Sequence, residues 1–187
     1  MTAQTTRERG AFLHGLDMDL IAPSPERGEH YLNWAWAAHV AFGTSRLPMS
    51  ADSLAVKLFD TDNPRRNVAF EGRRVSDGSA VGIVGLQSIA WLNREARLMC
   101  IPATHACFGA CEEALALTIH YGFSELGLHR LYDFTHSTHK DYVDALQDLG
   151  FRREGTLREA VFQGGKYRDL LVMAKLADEH NFAALNP

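Results

Sequence analysis

The feature that most limits what this chain can fold into is the succession of element signals between residues 115 and 176. Apolar residues recur at helical spacing, and a Leu-Gly-Leu triplet at residues 126–128 ends that helix before a short apolar strand begins near Arg130. A second helix ends at a Leu-Gly pair at residues 149–150, and two strands joined across Gly164-Gly165 follow. This order of helix, strand, helix and hairpin indicates an α/β domain.

The first half of the chain adds further strands and two helices. Alternation of apolar and acidic residues predicts a half-buried strand, and a helix carrying Tyr31, Trp34 and Trp36 follows it. A second, short helix begins at Ser50. The predicted strands of this half cover residues 16–21, 67–75, 80–92 and 96–102, with an Asp77-Gly78 hairpin turn between the second and the third.

No repeat, low-complexity tract or interdomain linker divides the sequence. We therefore expect a flexible N-terminal lead-in over residues 1–15, a single domain over residues 16–178 and a C-terminal tail over residues 179–187. A chain of 187 residues is long enough to bury a sizeable core in one domain.

Composition narrows the class of protein. A net charge of −4 gives no general attraction to nucleic acid or to an anionic membrane, so neither partner is expected. No apolar run approaches the roughly 20 residues needed to cross a bilayer. The three cysteines, Cys100, Cys107 and Cys111, cannot all pair with one another, and the default expectation is a reduced cytoplasmic setting.

Two sequence stretches resemble a known family. The LGF triplet at the end of the second helix, with the helix–strand–helix–hairpin order around it, resembles the C-terminal half of the GNAT acyltransferases. GIVGLQSIAWLNREARL is similar to the central hairpin of the Rim-type branch, whose best-known members acetylate N-terminal amines of ribosomal proteins. The resemblance covers residues 16–178.

The resemblance implies a fold and a reaction. The expected fold is a mixed, mainly antiparallel sheet of seven strands, flanked by helices and splayed between strands 4 and 5, where acetyl-CoA or another acyl-CoA would bind. The expected activity is N-acyl transfer from that thioester to a small-molecule or peptide amine, with a homodimer as the expected assembly. Other readings are a GNAT-fold transferase that uses an aminoacyl-tRNA or carrier-protein thioester, and a noncatalytic GNAT-like binding domain.

The segment that should hold the pyrophosphate of coenzyme A departs from the family motif of Gln or Arg, two residues, Gly, one residue, and Gly or Ala. Here the hexapeptide is ACFGAC, in which only Gly109 keeps the motif residue. Backbone amides at a helix start still bind phosphate whatever the side chains. The alternative is a structural loop with a different acyl donor. By resemblance, the expected cofactor-binding residues are Cys100, Ile101, Phe108, Gly109, Ala110, Cys111 and His139.

The helix after the fifth strand departs from the family as well. His139 and Tyr142 occupy the positions of the Rim-type Asn and Ser, and Leu146 stands where other GNAT branches carry a catalytic Tyr. The Tyr142 hydroxyl has an ordinary pKa near that of a thiol and is the expected proton source for the leaving thiolate. The alternative is an aromatic side chain that packs on the hairpin.

The expected acceptor side combines aromatic and acidic residues. Trp34, Trp36 and Trp91 belong to elements that border the acceptor site in the resembled family. Glu159 and Asp169 on the terminal hairpin, with Glu95 before the fourth strand, are the carboxylates expected to attract or deprotonate the amine, and Glu159 is the expected base. The alternative for each of them is a solvated strand residue. The His and Cys spacings match no recognised zinc pattern, so no metal is expected.

Overall fold

The computed structural model describes residues 10–37, 50–54, 66–104 and 109–182. In chain order the elements are β1 (Ala11–His14), β2 (Met18–Ile21), α1 (Gly28–Ala37), β3 (Val68–Arg74), β4 (Ala80–Ala90), β5 (Glu95–Pro102), α2 (Glu112–Ser124), β6 (Arg130–His136), α3 (Lys140–Asp148), β7 (Arg152–Gln163) and β8 (Lys166–Leu176). Residues 51–54 are helical, and single 3₁₀ turns occupy Pro25–Arg27, Gly109–Cys111 and Ala177–Glu179.

One mixed sheet contains all the described strands, in the order β1-β2-β3-β4-β5-β6-β8-β7. Only β5 and β6 pair in parallel, because α2 connects them, while the other neighbours are antiparallel. The predicted mainly antiparallel α/β fold is confirmed. The predicted count of seven strands is wrong by one, so the fourth and fifth predicted strands are β5 and β6.

The additional strand is β1, which lies inside the predicted lead-in of residues 1–15. Ala11 pairs with Ile21 and His14 with Asp19 of β2, and the Gly15 N–H donates to the Met18 carbonyl at 2.7 Å in the turn between the strands. Pairing with β2 orders a segment whose polar flank gave no strand signal. The sheet therefore begins before the boundary that the sequence predicted.

Turns form where glycine allows backbone conformations that other residues rarely adopt. Gly164 and Gly165 have φ of 57° and 75° in the predicted β7–β8 hairpin, as the two-residue turn requires. Gly150 has φ of 87° at the end of α3, and the Phe151 N–H returns to the Leu146 carbonyl at 2.8 Å. The LGF triplet thus ends α3 and starts β7.

Helices cover both faces of the sheet. Side chains of α2 and α3 share one core cluster with Leu98, Cys100 and Leu131. Tyr31 of α1 and Leu54 share a second cluster with the alternate β5 side chains, which include Ile101. We call these the α2/α3 face and the α1 face. Within the described residues, no helix is both long and apolar enough to span a bilayer.

Candidate functional site

The candidate site forms where β5 and β6 separate. Their parallel ladder contains three residue pairs and ends with Arg97 opposite Tyr132, which we call the vertex. Beyond it, residues 98–102 keep their pairing with β4, and residues 133–136 keep theirs with β8. The facing edges of the two strands are thus unpaired with each other, and this gap is the predicted splay. Backbone groups on such an edge can hydrogen-bond an extended ligand.

The start of α2 provides a second backbone surface, which we call the cradle: Gly109–Cys111 and the first turn of α2. Cys111 is the N-cap residue, and its side chain makes no capping hydrogen bond. The first N–H groups of α2 and the helix dipole therefore favour an anion there. A methyl group on Gly109 would meet no atom of the described residues within 4 Å, so these residues leave the space beside it open. Ala110 packs against the core, and Phe108 lies outside the described residues.

The cysteines connect the cradle to the splay. Cys100 of β5 and Cys111 are both buried, and the Cys111 Sγ donates to the Val81 carbonyl at 3.5 Å. The contact with Cys111, together with burial, raises the pKa of the Cys100 thiol well above its ordinary value. The Ile101 side chain is buried on the opposite, α1 face. Cys100 and Ile101 thus line the splay with their backbone while their side chains fill the core.

Tyr142 of α3 reaches the vertex from the α2/α3 face. It is 1 % exposed, and its hydroxyl donates to Asp133 Oδ2 at 3.0 Å. Burial, followed by the nearby Asp133 charge, raises the pKa of Tyr142 well above its ordinary value. Tyr142 is therefore a core residue that keeps its proton beside the splay, and the core cluster that contains it includes Leu171 and Met173 of the hairpin strand β8. Leu146 is also fully buried.

His139 occupies the N-cap position of α3 without a side-chain capping bond. Its ring lies 5.5 Å from the ring of His136, the last residue of β6, in an edge-on arrangement. His139 is therefore placed at the wide end of the splay, beyond Tyr142. No three His, Cys, Asp or Glu residues in the described parts of the chain could hold a metal ion together.

The structure describes the side chains of two of the three predicted tryptophans, Trp34 and Trp91. Trp34 packs against Tyr31, with ring centroids 5.5 Å apart, on the α1 face. Trp91 follows the end of β4, near the paired end of β5, and is 48 % exposed. Ile83, which packs with Tyr31, lies eight residues earlier, or about 26 Å along an extended strand. Trp91 thus lies at the opposite end of β4 from Ile83, and the Trp36 side chain lies outside the described residues, so the assignment of the three tryptophans to the acceptor side stays a prediction.

On the terminal hairpin, the Asp169 carboxylate contacts the backbone of Glu159. The Glu159 N–H donates to Asp169 Oδ1 at 2.8 Å, across a bulge where Glu159 has φ of 51°. Leu170 is opposite His136, so both carboxylates lie beyond the end of β6. They form part of the rim at the wide end of the splay, while Tyr142 is at the vertex.

The sequence interpretation missed two buried carboxylates, each with charged and hydrogen-bonding partners. Glu71 of β3 is fully buried and accepts hydrogen bonds from Tyr31 and Arg73. Asp133 of β6 is 1 % exposed and forms an ion pair with Arg97 at 3.0 Å. The available signal was an acidic residue in the middle of an apolar strand, because a buried carboxylate requires partners.

Comparisons with known proteins agree with this geometry. The family profile described as "Acetyltransferase (GNAT) domain" matches residues 20–152. Among curated proteins, the chain is 31% identical over 98 residues to spermidine N(1)-acetyltransferase of Escherichia coli (strain K12), covering 52% of this chain and 53% of that protein. The uncharacterized N-acetyltransferase YoaA of Bacillus subtilis is 28% identical over 103 residues, covering 54% and 58%. The match thus spans about half the length of these relatives.

Solved structures give the same fold over more of the chain. Spermidine N-acetyltransferase from Vibrio cholerae in complex with CoA and spermine superposes with a TM-score of 0.75 at 24% identity, covering 87% of this chain and 97% of that chain. A dodecameric structure of the Vibrio cholerae enzyme gives a TM-score of 0.73 at 22% identity, covering 87% and 95%. These comparisons show the family but do not confirm the Rim-type branch.

Proposed function

Because the chain belongs to the GNAT acetyltransferase domain family, we propose that it transfers an acetyl group from acetyl-CoA to the amine nitrogen of a small acceptor. The observation that carries this proposal is the splay beyond Arg97, since a paired sheet would leave no edge for the donor. Approach from both faces of the splay lets the thioester and the amine meet without crossing a closed layer.

The described residues fit coenzyme A through backbone groups. The unpaired edge of residues 98–102 offers carbonyl groups and, except at Pro102, N–H groups, and Gly109 leaves the cradle open among the described residues. Glu113, in the first turn of α2, is turned away by the β1–β2 turn, where the Leu16 N–H donates to its Oε1 at 2.6 Å. When bound, the cofactor supplies a thioester carbonyl carbon that an amine attacks.

The residues of the chain then position the reactants and manage protons. We place the proton source at Tyr142, whose hydroxyl lies beside the splay and is protonated at neutral pH. His139 at the wide end is the proposed polar contact to the cofactor. Asp169 and Glu159 on the rim attract a cationic acceptor, and desolvation between the two faces favours the neutral amine that attacks.

The proposed acceptor is a small primary amine that enters along the α1 face, past Trp34. The curated relatives named for spermidine support a polyamine as the first acceptor to test. The central hairpin of β4 and β5 resembles the Rim-type branch and supports a peptide N-terminus as the second. Glu71, the fully buried carboxylate of the α1 face, is already held by Arg27 and Arg73, so it is not part of the proposed acceptor recognition.

Self-association is part of the proposal. The relative solved as a dodecamer supports assembly, and β7 is an edge strand with an exposed apolar surface. Leu157, Phe162 and Tyr167 on the β7–β8 hairpin are 45 %, 56 % and 63 % exposed. Light scattering after size exclusion should give a mass above the 20.8 kDa of one chain.

The test of the activity combines donor binding with amine-dependent thiol release. Acetyl-CoA should raise the melting temperature in a concentration-dependent way. CoA thiol should appear only when an amine is added, with spermidine, ethanolamine and a peptide with a free N-terminus as the acceptor panel. Binding without release from any amine would identify a noncatalytic domain. Neither binding nor release, with transfer from an aminoacyl-tRNA or a carrier-protein thioester instead, would establish a different donor.

A further inference from the structure

At the vertex, side chains replace the strand pairing that stops there. The ladder ends with Arg97 opposite Tyr132, and Phe134 is two positions farther along β6. The Phe134 N–H donates to Asp133 Oδ1 at 2.8 Å, and the Phe134 carbonyl accepts from Arg97 Nη2 at 3.5 Å. The first backbone groups of β6 beyond the ladder are therefore satisfied by side chains of the two strands that separate.

The Asp133 carboxylate joins three elements at this point. Its Oδ1 accepts from Arg97 Nε of β5 at 3.0 Å, and its Oδ2 accepts from the Tyr142 hydroxyl of α3 at 3.0 Å. Asp133 and Tyr142 are each 1 % exposed, whereas the Arg97 side chain keeps 29 % exposure. A single buried carboxylate thus fixes β5, β6 and α3 relative to one another.

This set of contacts passes through the sheet. Alternation along β5 places Arg97 on the side of Met99 and Ile101, which pack on the α1 face. Tyr142 belongs to the core of the α2/α3 face. The Arg97 guanidinium therefore reaches through the sheet, beside the Phe134 ring at 5.4 Å, to the carboxylate that holds Tyr142. The contacts cross at the vertex where the splay begins.

We propose that Asp133 is a positioning residue of the acyl-transfer site: its carboxylate holds the Tyr142 hydroxyl at the vertex, and Arg97 holds that carboxylate in place. This inference rests on the proposed function and on Tyr142 as the proton source. Asp133 contacts no reacting atom. Its role is to hold the phenol oxygen in place while the hydroxyl turns from Asp133 Oδ2 to the leaving sulfur, gives the sulfur its proton and takes the proton that the attacking amine nitrogen releases, since a misplaced acid loses much of its catalytic effect.

The charges around Asp133 are consistent with this role. Burial raises its pKa, and the Arg97 charge opposes that rise. Tyr142 and Cys100 are the other titratable groups at this point: burial raises the pKa of Tyr142, and the contact with Cys111, together with burial, raises the pKa of Cys100. Replacement of a buried ionic network by apolar side chains is often neutral or stabilising, so stability alone gives little reason for this arrangement.

A double-mutant cycle separates positioning from a structural contribution. Asp133→Asn keeps the size of the side chain and should lower kcat about tenfold, with the KM for acetyl-CoA within about twofold of wild type. In a Tyr142→Phe background, Asp133→Asn should change kcat by less than about twofold, because the group it positions is gone. Asp144→Asn, on the exposed side of the same helix, is the matched control and should behave as wild type.

Each outcome of the cycle supports or overturns the positioning role of Asp133. If the two single effects multiply in the double variant, Asp133 acts without Tyr142 and the positioning role is overturned, although the proposed function stands. If wild type releases no CoA with any amine, the proposed function fails and the positioning role fails with it. Should circular dichroism show that Asp133→Asn does not fold, the cycle is run with Arg97→Lys, which keeps the charge and loses the guanidinium fork.

Discussion

The sheet contains two buried carboxylates, each held by a tyrosine and by arginine, in opposite surroundings. Glu71 lies in β3, which is paired with β2 on one side and β4 on the other. It accepts from the Tyr31 hydroxyl and forms ion pairs with Arg73 at 2.8 Å and Arg27 at 3.2 Å. Its network therefore occupies an intact part of the sheet.

Asp133 has the same kinds of partner at the place where the sheet opens. It accepts from Tyr142 and pairs with Arg97, but the β6 backbone beside it has lost its β5 neighbour. The same buried set of tyrosine, carboxylate and arginine therefore has no function of its own, and its position in the sheet decides what it does. Where the ladder is complete the set joins side chains within the sheet, and where the ladder ends the same chemistry lies beside the gap that we propose as the donor site.

Disruption of the Glu71 network should have the greatest consequence of the changes considered, and it should act on the free energy of unfolding. Glu71→Gln should lower the free energy of unfolding by about 3 kcal/mol, because Arg27 and Arg73 lose their anion while they keep partial exposure. Turnover per folded molecule should stay within a few-fold of wild type. Urea unfolding measures the first quantity. The control is Glu154→Gln, which removes an exposed ion pair with Arg130 and should cost less than about 1 kcal/mol. Equal losses in the two variants would contradict the stabilising role of Glu71.

Next in size is the loss of a single oxygen from each tyrosine. Tyr142→Phe should lower kcat by about 10²-fold and leave the affinity for acetyl-CoA unchanged, because only the proton source is removed. Tyr31→Phe removes the same atom from the Glu71 network and should leave kcat within a few-fold. Steady-state kinetics with donor titration decides between them. Similar kcat values for the two variants would remove the distinction between the networks.

The third prediction concerns the binding of CoA at the cradle. Gly109→Val should weaken CoA binding by about tenfold, since its branched side chain enters the open space where phosphate oxygens approach the backbone. Gly155→Val, at another open glycine on β7, is the matched control and should bind CoA as wild type does. Calorimetric titration provides the affinities. A folded Gly109→Val protein with wild-type affinity would show that the cradle is not the CoA site.

The last prediction concerns the free energy of unfolding at alkaline pH. Burial and the hydrogen bond to Glu71 raise the pKa of Tyr31 to about 12 from 10.0. The folded state therefore keeps a proton that the unfolded chain releases, so this stabilisation is complete below pH 10 and is lost as pH rises towards 12. Wild type should lose about 2 kcal/mol more than Tyr31→Phe over that range. If the free energy of unfolding fell equally with pH in wild type and in Tyr31→Phe, the raised pKa of Tyr31 would be contradicted.

Local signals in the sequence predicted much of the fold. The glycine pair at residues 164–165 and the LGF triplet specify their turns through backbone conformations, and the apolar alternation of β2 is visible without a partner. The segment of β1 gave no such signal, because Ala11–His14 becomes a strand only by pairing with β2. The splay was predicted from the family resemblance, since no local pattern marks the residue at which pairing stops.

The candidate site was predictable only in part. Gly109 and Tyr142 stand in positions that the resemblance indicates, and the structure places them beside the splay. Trp91 was assigned to the acceptor side from its place in the chain, whereas the length of β4 decides how far it lies from Ile83. The order of elements along the chain predicts which strands are neighbours. The length and register of the strands decide which residues of neighbouring strands lie side by side.

The sequence by itself determined the order of strands and helices, the turns and the family, because these depend on local spacing and backbone preference. Tertiary structure alone decided that Arg97, Asp133 and Tyr142 meet, since Arg97 and Asp133 lie 36 residues apart on strands that are joined through α2. It also decided that Glu71 has a different environment from Asp133. A carboxylate is the same chemical group in both strands, and whether the adjacent ladder is paired depends on contacts that no single segment contains.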